Sequence, residues 1–149
     1  MKILLVVDLQ KEFRDCDGEY ERILNFVRTV KEYDKIIATK CLNSMDSPFV
    51  KYENWYDCID KVEDLEFCPD VVIEKYGYGL SDYACLNKAD NYDIIGFNTD
   101  ACVLKIALDL FDKGYNFRVL TDYCYSSEGL DHHLNGVELL KRLISKAVV

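Results

Sequence analysis

Short apolar runs recur along the chain, and polar or amphipathic stretches separate them. A continuous run of apolar, mostly β-branched residues is typical of a strand that is buried on both faces of a sheet. Such runs predict five strands, at Ile3–Val7, Lys35–Thr39, Val71–Glu74, Tyr92–Phe97 and Asn116–Thr121. A shorter segment, Ala147–Val149, is a candidate for a sixth strand.

Between these runs, apolar residues recur at the spacing of a helix with one buried face. This periodicity predicts long helices over Tyr20–Tyr33, Asp100–Lys113 and Leu130–Ile144. Weaker patterns predict short helices near Trp55–Val62 and over Ser81–Lys88, and the second of these begins at a serine that can cap it.

The alternation of buried strands and amphipathic helices predicts a three-layer α/β/α fold with a mostly parallel, Rossmann-like sheet of five or six strands. The chain has 149 residues, which fits a single domain over 1–149. Sheets of this kind bind ligands beyond the carboxyl ends of their strands, where the strand order reverses. In the commonest order, that point lies between the first and fourth strands.

One connection is unusually long. Cys41–Asp70 contains both prolines of the chain, its only tryptophan and many acidic residues. Long connections between strands are often loops that cover a site. A plain crossover with modest helical content is the other interpretation, and the sequence leaves both open.

Composition excludes several classes of partner. The formal net charge of -9 and the lack of a Lys/Arg-rich run argue against nucleic acid binding. No apolar run reaches the length of a membrane span, and the first one is too short for a signal peptide. The seven cysteines include no C-x-x-C pair, which favours free thiols in a reducing cytoplasm over a zinc site.

Three reactive side chains stand at the carboxyl ends of predicted strands. Asp8 follows the first strand, Lys75 follows the third, and Cys102 lies beyond the fourth, in the first turn of the next helix. A thiol at a helix N-terminus is favoured as the thiolate, since unpaired N–H groups and the positive dipole end face it. A partly desolvated carboxylate accepts the thiol proton, and a lysine beside it stabilises negative charge. These are the parts of a cysteine-based active site, although most free cysteines are simply core residues.

Four segments together resemble the isochorismatase-like cysteine hydrolases over nearly the whole chain. They are VVDLQKEF at the start, the lysine after the third strand, GFNTDACV before a helix, and TDYCYSS, which is similar to the family's D-A-x-x-S segment. The resemblance implies a nucleophile at Cys102, a general base at Asp8 and a triad completed by Lys75. It also implies a cis peptide bond at Phe97–Asn98, with the N–H groups of Asn98 and Cys102 forming an oxyanion hole.

Members of this family with a cysteine nucleophile include nicotinamidases and N-carbamoyl amidohydrolases. The resemblance therefore implies hydrolysis of a C–N bond in a small amide or N-carbamoyl substrate. Nicotinamidases carry a metal-binding D-x-H with further histidines after the second strand, whereas the matching segment here, Thr39–Asn43, contains no acid or histidine. No metal and no other cofactor is expected. The chain also looks short for the family, so a neighbouring subunit is expected to close the pocket. The resemblance implies an even-numbered homo-oligomer.

Several residues are candidates for binding this small molecule. Gln10 and Phe13 fit the family's D-x-Q-x-x-F pattern, and the aromatic residues Phe13, Trp55, Tyr76 and Tyr78 could line a pocket for a flat or apolar group. The alternative is that they are ordinary loop and core residues.

Two other functions stay open at this point. A haloacid-dehalogenase-type phosphatase also begins with an apolar strand followed by D-x-D, but Asp8-Leu9-Gln10 lacks the second acid that would bind magnesium. A catalytically idle binding protein could retain the fold. The complete set of Asp8, Lys75 and Cys102 favours a cysteine hydrolase over both.

Overall fold

All of residues 1–149 are described by the computed structural model, whose centre is one five-stranded sheet. Neighbouring strands all run parallel, in the order β3-β2-β1-β4-β5. The strands are β1 (Lys2–Val7), β2 (Lys35–Cys41), β3 (Val71–Lys75), β4 (Asn91–Phe97) and β5 (Asn116–Tyr125). The helices are α1 (Glu19–Thr29), α2 (Pro48–Glu53), α3 (Leu104–Asp112) and α4 (Leu130–Ile144). A π-helical turn, Thr99–Val103, leads directly into α3, and single 3-10 turns lie at Lys11–Phe13 and Ser145–Ala147.

The central strand β1 shows why the sheet is covered on both faces. Ile3, Leu5 and Val7 belong to one apolar core, together with residues of α3 and α4. Leu4 and Val6 belong to a second core, together with residues of α1. Successive side chains of a strand point to opposite faces, so a run that is apolar at every position needs helices on both sides. The predicted three-layer α/β/α fold is confirmed.

The strand order creates a crevice at one end of the sheet. The chain builds β1, β2 and β3 outward and then returns, so that β4 pairs with the other side of β1. Gly96 of β4 is in register with Val7 of β1, and its φ is +121°. A Cβ atom on Gly96 would lie 2.0 Å from the carbonyl oxygen of Val7, so that only glycine fits here. The reversal point predicted between the first and fourth strands is confirmed.

The predicted strands and long helices are confirmed, with shifts at their ends. β5 continues past Thr121 to Tyr125, and α1 ends at Thr29 rather than at Tyr33. The C-terminal segment makes only an isolated parallel bridge, between Val148 and Val119, so the sheet has five strands.

The short helix predicted over Ser81–Lys88 is wrong. This segment forms successive turns, in which the side chains of Asp82 and Asn87 accept hydrogen bonds from nearby backbone N–H groups. Such local bonds compete with helix formation. Tyr115 then fixes the turns by donating its hydroxyl hydrogen bond to the carbonyl of Tyr83 at 2.8 Å.

The short helix predicted near Trp55–Val62 is also wrong, since the helix of this region comes earlier, at α2. Ser47 caps α2 by accepting a hydrogen bond from the Val50 N–H, and Pro48 occupies its first turn. Asn54, in the left-handed conformation, ends it. None of the helices has the length and apolar content that crossing a membrane would require.

Gly136 of α4 allows the helix to lie directly against the π-helical turn. An added Cβ would lie 2.6 Å from the backbone nitrogen of Asp100 and 2.7 Å from the carbonyl carbon of Thr99. In an open helix, Gly→Ala stabilises by about 1 kcal/mol. Here we expect Gly136→Ala to lower the free energy of unfolding by about 1–3 kcal/mol, because backbone atoms of the turn must move.

Urea unfolding measures this effect. Asn135→Ala, at the exposed neighbouring position of the same helix, is the control and should keep or raise stability. A Gly136→Ala protein as stable as the parent would contradict the close packing of α4 on the turn.

Candidate active site

Three side chains from separate parts of the chain meet in the crevice at the carboxyl end of the sheet. Asp8 follows β1, Lys75 is the last residue of β3, and Cys102 lies in the π-helical turn after β4. Asp8 and Lys75 are fully buried, and Cys102 is 8% exposed. The structure thus brings together the three residues that the sequence singled out.

Lys75 lies at the centre of this group. Its Nζ is 2.8 Å from Asp8 Oδ2 and donates a hydrogen bond to Cys102 Sγ at 3.2 Å. Nζ also donates a hydrogen bond to the carbonyl oxygen of Gly77 at 2.7 Å. The lysine side chain is therefore held in one position by an anion, a sulfur atom and a backbone dipole.

Asp8 is oriented by the neighbouring strand β2. The Thr39 hydroxyl donates to Asp8 Oδ1 at 2.6 Å and accepts from the Asp8 N–H at 3.1 Å. The other carboxylate oxygen, Oδ2, has the Lys75 ammonium as its ion-pair partner and no hydrogen-bond partner. Oδ2 is therefore the oxygen that can accept a proton from the site. The sequence reasoning missed Thr39, although its place at the end of the second strand was a usable signal.

The π-helical turn presents Cys102 to the crevice. The N–H groups of Ala101 and Val103 both donate to the carbonyl of Asn98, at 3.1 Å, and the N–H of Cys102 takes no part in this pair of bonds. The peptide bond at Phe97–Asn98 is cis, as the family resemblance implied. π-helical turns are rare in proteins, and those that occur often lie at functional sites.

The residues after β5, including helix α4, make hydrogen bonds that fix the position of the π-helical turn. Asn98 exchanges two hydrogen bonds of 2.9 Å with Ser127, one with its hydroxyl and one with its N–H. From α4, His133 Nδ1 shares a hydrogen bond of 2.8 Å with the Thr99 hydroxyl. Burial lowers the pKa of His133. The family-like TDYCYSS segment and α4 thus position the turn, which sequence reasoning about single residues did not show.

Electrostatics set the resting protonation of the site. Burial raises the pKa of the Cys102 thiol well above its ordinary value, the charge of Asp8 raises it further, and the Lys75 ammonium only partly offsets this. For Lys75, burial lowers the pKa, but the charges of Asp8 and Cys102 raise it overall. The expectation that the helix N-terminus favours the thiolate is therefore wrong, because desolvation and the adjacent carboxylate raise the pKa more than the Lys75 ammonium lowers it. The nucleophile needs a base.

A cavity of about 580 Å³ opens onto Cys102. Aromatic rings form part of its wall: Phe13 stacks on Trp55 with ring centroids 6.1 Å apart, and Phe49 packs edge-on against Trp55 and Tyr78 at 5.2 and 4.9 Å. The sequence singled out Phe13, Trp55 and Tyr78 but missed Phe49, which sits directly after Pro48 in α2.

Two other candidates for substrate binding lie elsewhere. Gln10 is buried, and its side chain bonds the backbone of Cys41 twice, donating to the carbonyl at 3.2 Å and accepting from the N–H at 2.6 Å. It joins the loop after β1 to β2 and does not line the cavity. Tyr76 is 52% exposed and does not line the cavity either. The flanking turn points it to solvent instead.

Of the two interpretations of Cys41–Asp70, the structure supports a segment that covers the site, since Phe49, Trp55 and Asp57 line the cavity. Asn43 organises the segment: its amide donates to the carbonyls of Trp55 and Asp57, each at 3.0 Å. Its side-chain oxygen accepts from the Ser44 N–H at 2.9 Å and from the Ser47 hydroxyl.

The polar side chains at the two ends of Thr39–Asn43, the segment that matches the metal-binding segment of nicotinamidases, have other partners. The Thr39 hydroxyl is bound to Asp8, and the Asn43 side chain is used within the loop. No group of three or more His, Cys, Asp or Glu side chains is arranged to hold a metal ion. The residues at this position therefore do not fit the metal site expected of a nicotinamidase.

Fold and site define a doubly wound α/β protein with a cysteine beside a buried Asp–Lys pair. The family model of the isochorismatase domain matches residues 2–147, and the chain belongs to the isochorismatase family of hydrolases. The matches support neither the phosphatase nor the idle binding protein.

Particular relatives agree with this assignment. The isochorismatase family protein 2B of Dictyostelium discoideum is 27% identical over 160 residues, covering 97% of this chain and 70% of that protein. The structure of a pyrazinamidase/nicotinamidase from Streptococcus mutans has a TM-score of 0.77 at 16% identity, with 100% of both chains covered. The pyrazinamidase of Pyrococcus horikoshii, solved in complex with zinc, has a TM-score of 0.75 at 19% identity, covering 99% of this chain and 96% of that one. At these identities, the structural matches show the shared fold.

The raised pKa of Cys102 leads to a pH-dependent prediction. We expect alkylation of Cys102 by iodoacetamide to accelerate with a midpoint above that of an ordinary thiol, because the neutral thiol prevails at lower pH. Asp8→Asn removes the nearest negative charge and should move the midpoint to lower pH. Timed labelling over a pH series with peptide mass spectrometry measures both midpoints.

Asp112→Asn, an exposed acid of α3, is the matched control and should leave the midpoint unchanged. Circular dichroism must show that Asp8→Asn is folded, because removing one partner of a buried ion pair costs about 3–5 kcal/mol. A midpoint that stays or rises in folded Asp8→Asn would refute the electrostatic account.

Proposed function

We propose that this protein is a cysteine hydrolase that cleaves the C–N bond of a small amide or N-carbamoyl substrate through a thioester intermediate. One observation carries the proposal: a single buried amine lies 2.8 Å from a carboxylate oxygen and 3.2 Å from a thiol, beside a cavity. Membership of the isochorismatase family supports hydrolysis, and the fold shared with a pyrazinamidase/nicotinamidase supports an amide substrate.

In the first half of the reaction, Asp8 Oδ2 takes the proton of the Cys102 thiol as the sulfur attacks the substrate carbonyl carbon. The C–S bond forms, and the electron pair of the C=O bond moves onto its oxygen. The N–H groups of Asn98 and Cys102 hold this oxyanion, and each such donor contributes about 3 kcal/mol to the transition state. Lys75 compensates the negative charge that passes between Asp8 and the sulfur.

The intermediate collapses when Asp8 gives its proton to the leaving nitrogen and the C–N bond breaks. Ammonia or an amine departs, and the acyl or carbamoyl group stays on the sulfur as a thioester. Asp8 then takes a proton from water, whose oxygen attacks the thioester carbon. The C–S bond breaks, the sulfur regains the proton, and the acid product leaves. Every step uses side chains and backbone N–H groups of this chain and one water molecule.

The burial of the three groups supports this mechanism. The Lys75 ammonium contacts both the Asp8 carboxylate and the Cys102 sulfur, so it offsets the negative charge whether that charge lies on the oxygen or on the sulfur. The aromatic wall supports a small organic substrate. A homo-oligomer whose neighbouring subunit closes the cavity, and a cytoplasmic location, stay predictions.

Removal of the nucleophile is the direct test. Cys102→Ala should lower ammonia release from a panel of amides and ureides by at least about 1,000-fold, since a nucleophile cannot be replaced by its neighbours. Cys124→Ala removes another buried thiol, outside the cavity, and should retain activity. Peptide mass spectrometry of the parent after rapid quenching should show the acyl or carbamoyl group attached to the Cys102 peptide.

Three results would each count against the proposal. Equal turnover by Cys102→Ala would remove the nucleophile. Activity that needs magnesium and phosphorylates Asp8 would favour the phosphatase. No turnover of any panel member, with tight binding of one of them, would favour the idle binding protein.

A further inference from the structure

The cavity that opens onto Cys102 is strongly acidic. Five carboxylate side chains line it, and one basic side chain does. The acids are Glu12, Glu53, Asp57, Asp100 and Glu128, and the base is Arg14. Since Asp8 and Lys75 neutralise each other below them, this lining determines the charge that a substrate meets.

Most of this negative charge is not compensated within the chain. Arg14 points its guanidinium to acids outside the cavity, Glu21 at 2.9 Å and Glu66 at 3.2 Å. Asp100 pairs with His132 at 3.1 Å, whereas the other four lining acids take part in none of the ion pairs of the chain. Clefts lined by one sign of charge concentrate ligands of the opposite sign.

One of these acids carries an orphan acceptor. Glu12 Oε1 accepts a hydrogen bond of 2.7 Å from the Glu63 N–H, but Oε2 is buried and has no partner. A buried carboxylate oxygen without a donor is costly, and it adds to the uncompensated negative charge of this wall.

The aromatic wall adds a second, independent preference for cations. Phe13, Trp55, Phe49 and Tyr78 contact one another in sequence around the same cavity. Ring faces attract organic cations, and the attraction is strongest when the cation is desolvated. A neutral aromatic ligand would use the rings but would gain nothing from the carboxylates.

We propose that the substrate is an amide or ureide that carries a positive charge, such as an ammonium, guanidinium or quaternary nitrogen, held by these carboxylates and rings while its carbonyl faces Cys102. The part that concerns cleavage rests on the proposed function. The part that concerns charge does not, because it depends only on the cavity.

Charge-selective labelling of Cys102 tests the cavity without requiring turnover. Two methanethiosulfonate reagents are compared, one with a trimethylammonioethyl group and one with a sulfonatoethyl group. Each forms a mixed disulfide with the thiolate and releases methanesulfinate, so the ratio of their rates cancels the protonation of the thiol. Cys85 is exposed and serves as an internal reference in the same chain.

We expect the cation-to-anion rate ratio at Cys102 to exceed that at Cys85 at least about tenfold at low salt, and to shrink as salt is added. The double substitution Glu53→Gln with Asp57→Asn should lower the ratio at Cys102. Glu138→Gln, an exposed acid of α4 outside the cavity, should leave it unchanged. Equal ratios at the two cysteines, or no response to the double substitution, would overturn the proposal.

A matched substrate pair then tests selection in turnover. Trimethylammonioacetamide and tert-butylacetamide have the same shape and differ by one charge, and the cation should have the higher kcat/KM. Preference for the neutral amide would overturn the cationic substrate while leaving the hydrolase intact. Hydrolysis of neither, together with a normal cation preference in labelling, would count against the proposed function and leave the charge selection of the cavity supported.

Discussion

The buried ion pair between Asp8 and Lys75 is the interaction on which the rest of the site depends. Neither group contacts solvent, so each needs the other to offset the loss of hydration. Asp8 directly follows β1 and Lys75 ends β3, and these strands are separated in the sheet by β2. Thr39 of β2, the strand between them, donates a hydrogen bond to the Asp8 carboxylate. Chemistry and stability are therefore coupled, because losing either partner leaves an unpaired buried charge.

Cys102 follows β4, which pairs with β1 on the side away from β2 and β3, so the thiol approaches the Asp8–Lys75 pair from that side. Gly96 lets β4 lie against β1, and Gly136 lets α4 press on the π-helical turn that carries Cys102. Asn98 and Ser127 tie the start of the turn to the segment after β5. The Cys102 sulfur lies within hydrogen-bonding distance of the Lys75 ammonium. Its position thus depends on the close backbone contacts that Gly96 and Gly136 allow.

In the proposed function, reaction and substrate selection use different parts of the chain. The strand ends supply the acid, the amine and the thiol, which suit cleavage of many carbonyl compounds. The long segment after β2 supplies aromatic rings and carboxylates, and Asn43 holds it in shape through hydrogen bonds where a nicotinamidase is expected to hold a metal. A change in this segment could alter the substrate without disturbing the buried pair.

From sequence alone, the fold class, the strands, the long helices, and the positions of Asp8, Lys75 and Cys102 at strand ends could be predicted. These depend on local periodicity and on the fact that parallel strands present their carboxyl ends at one edge. Tertiary structure alone decided the protonation of Cys102, because its pKa depends on burial and on a carboxylate more than ninety positions away in the chain. It also decided that Gln10 bonds to β2, that Tyr76 faces solvent and that Phe49 lines the cavity. In loops and short helices, the direction of a side chain follows long-range contacts that local sequence does not encode.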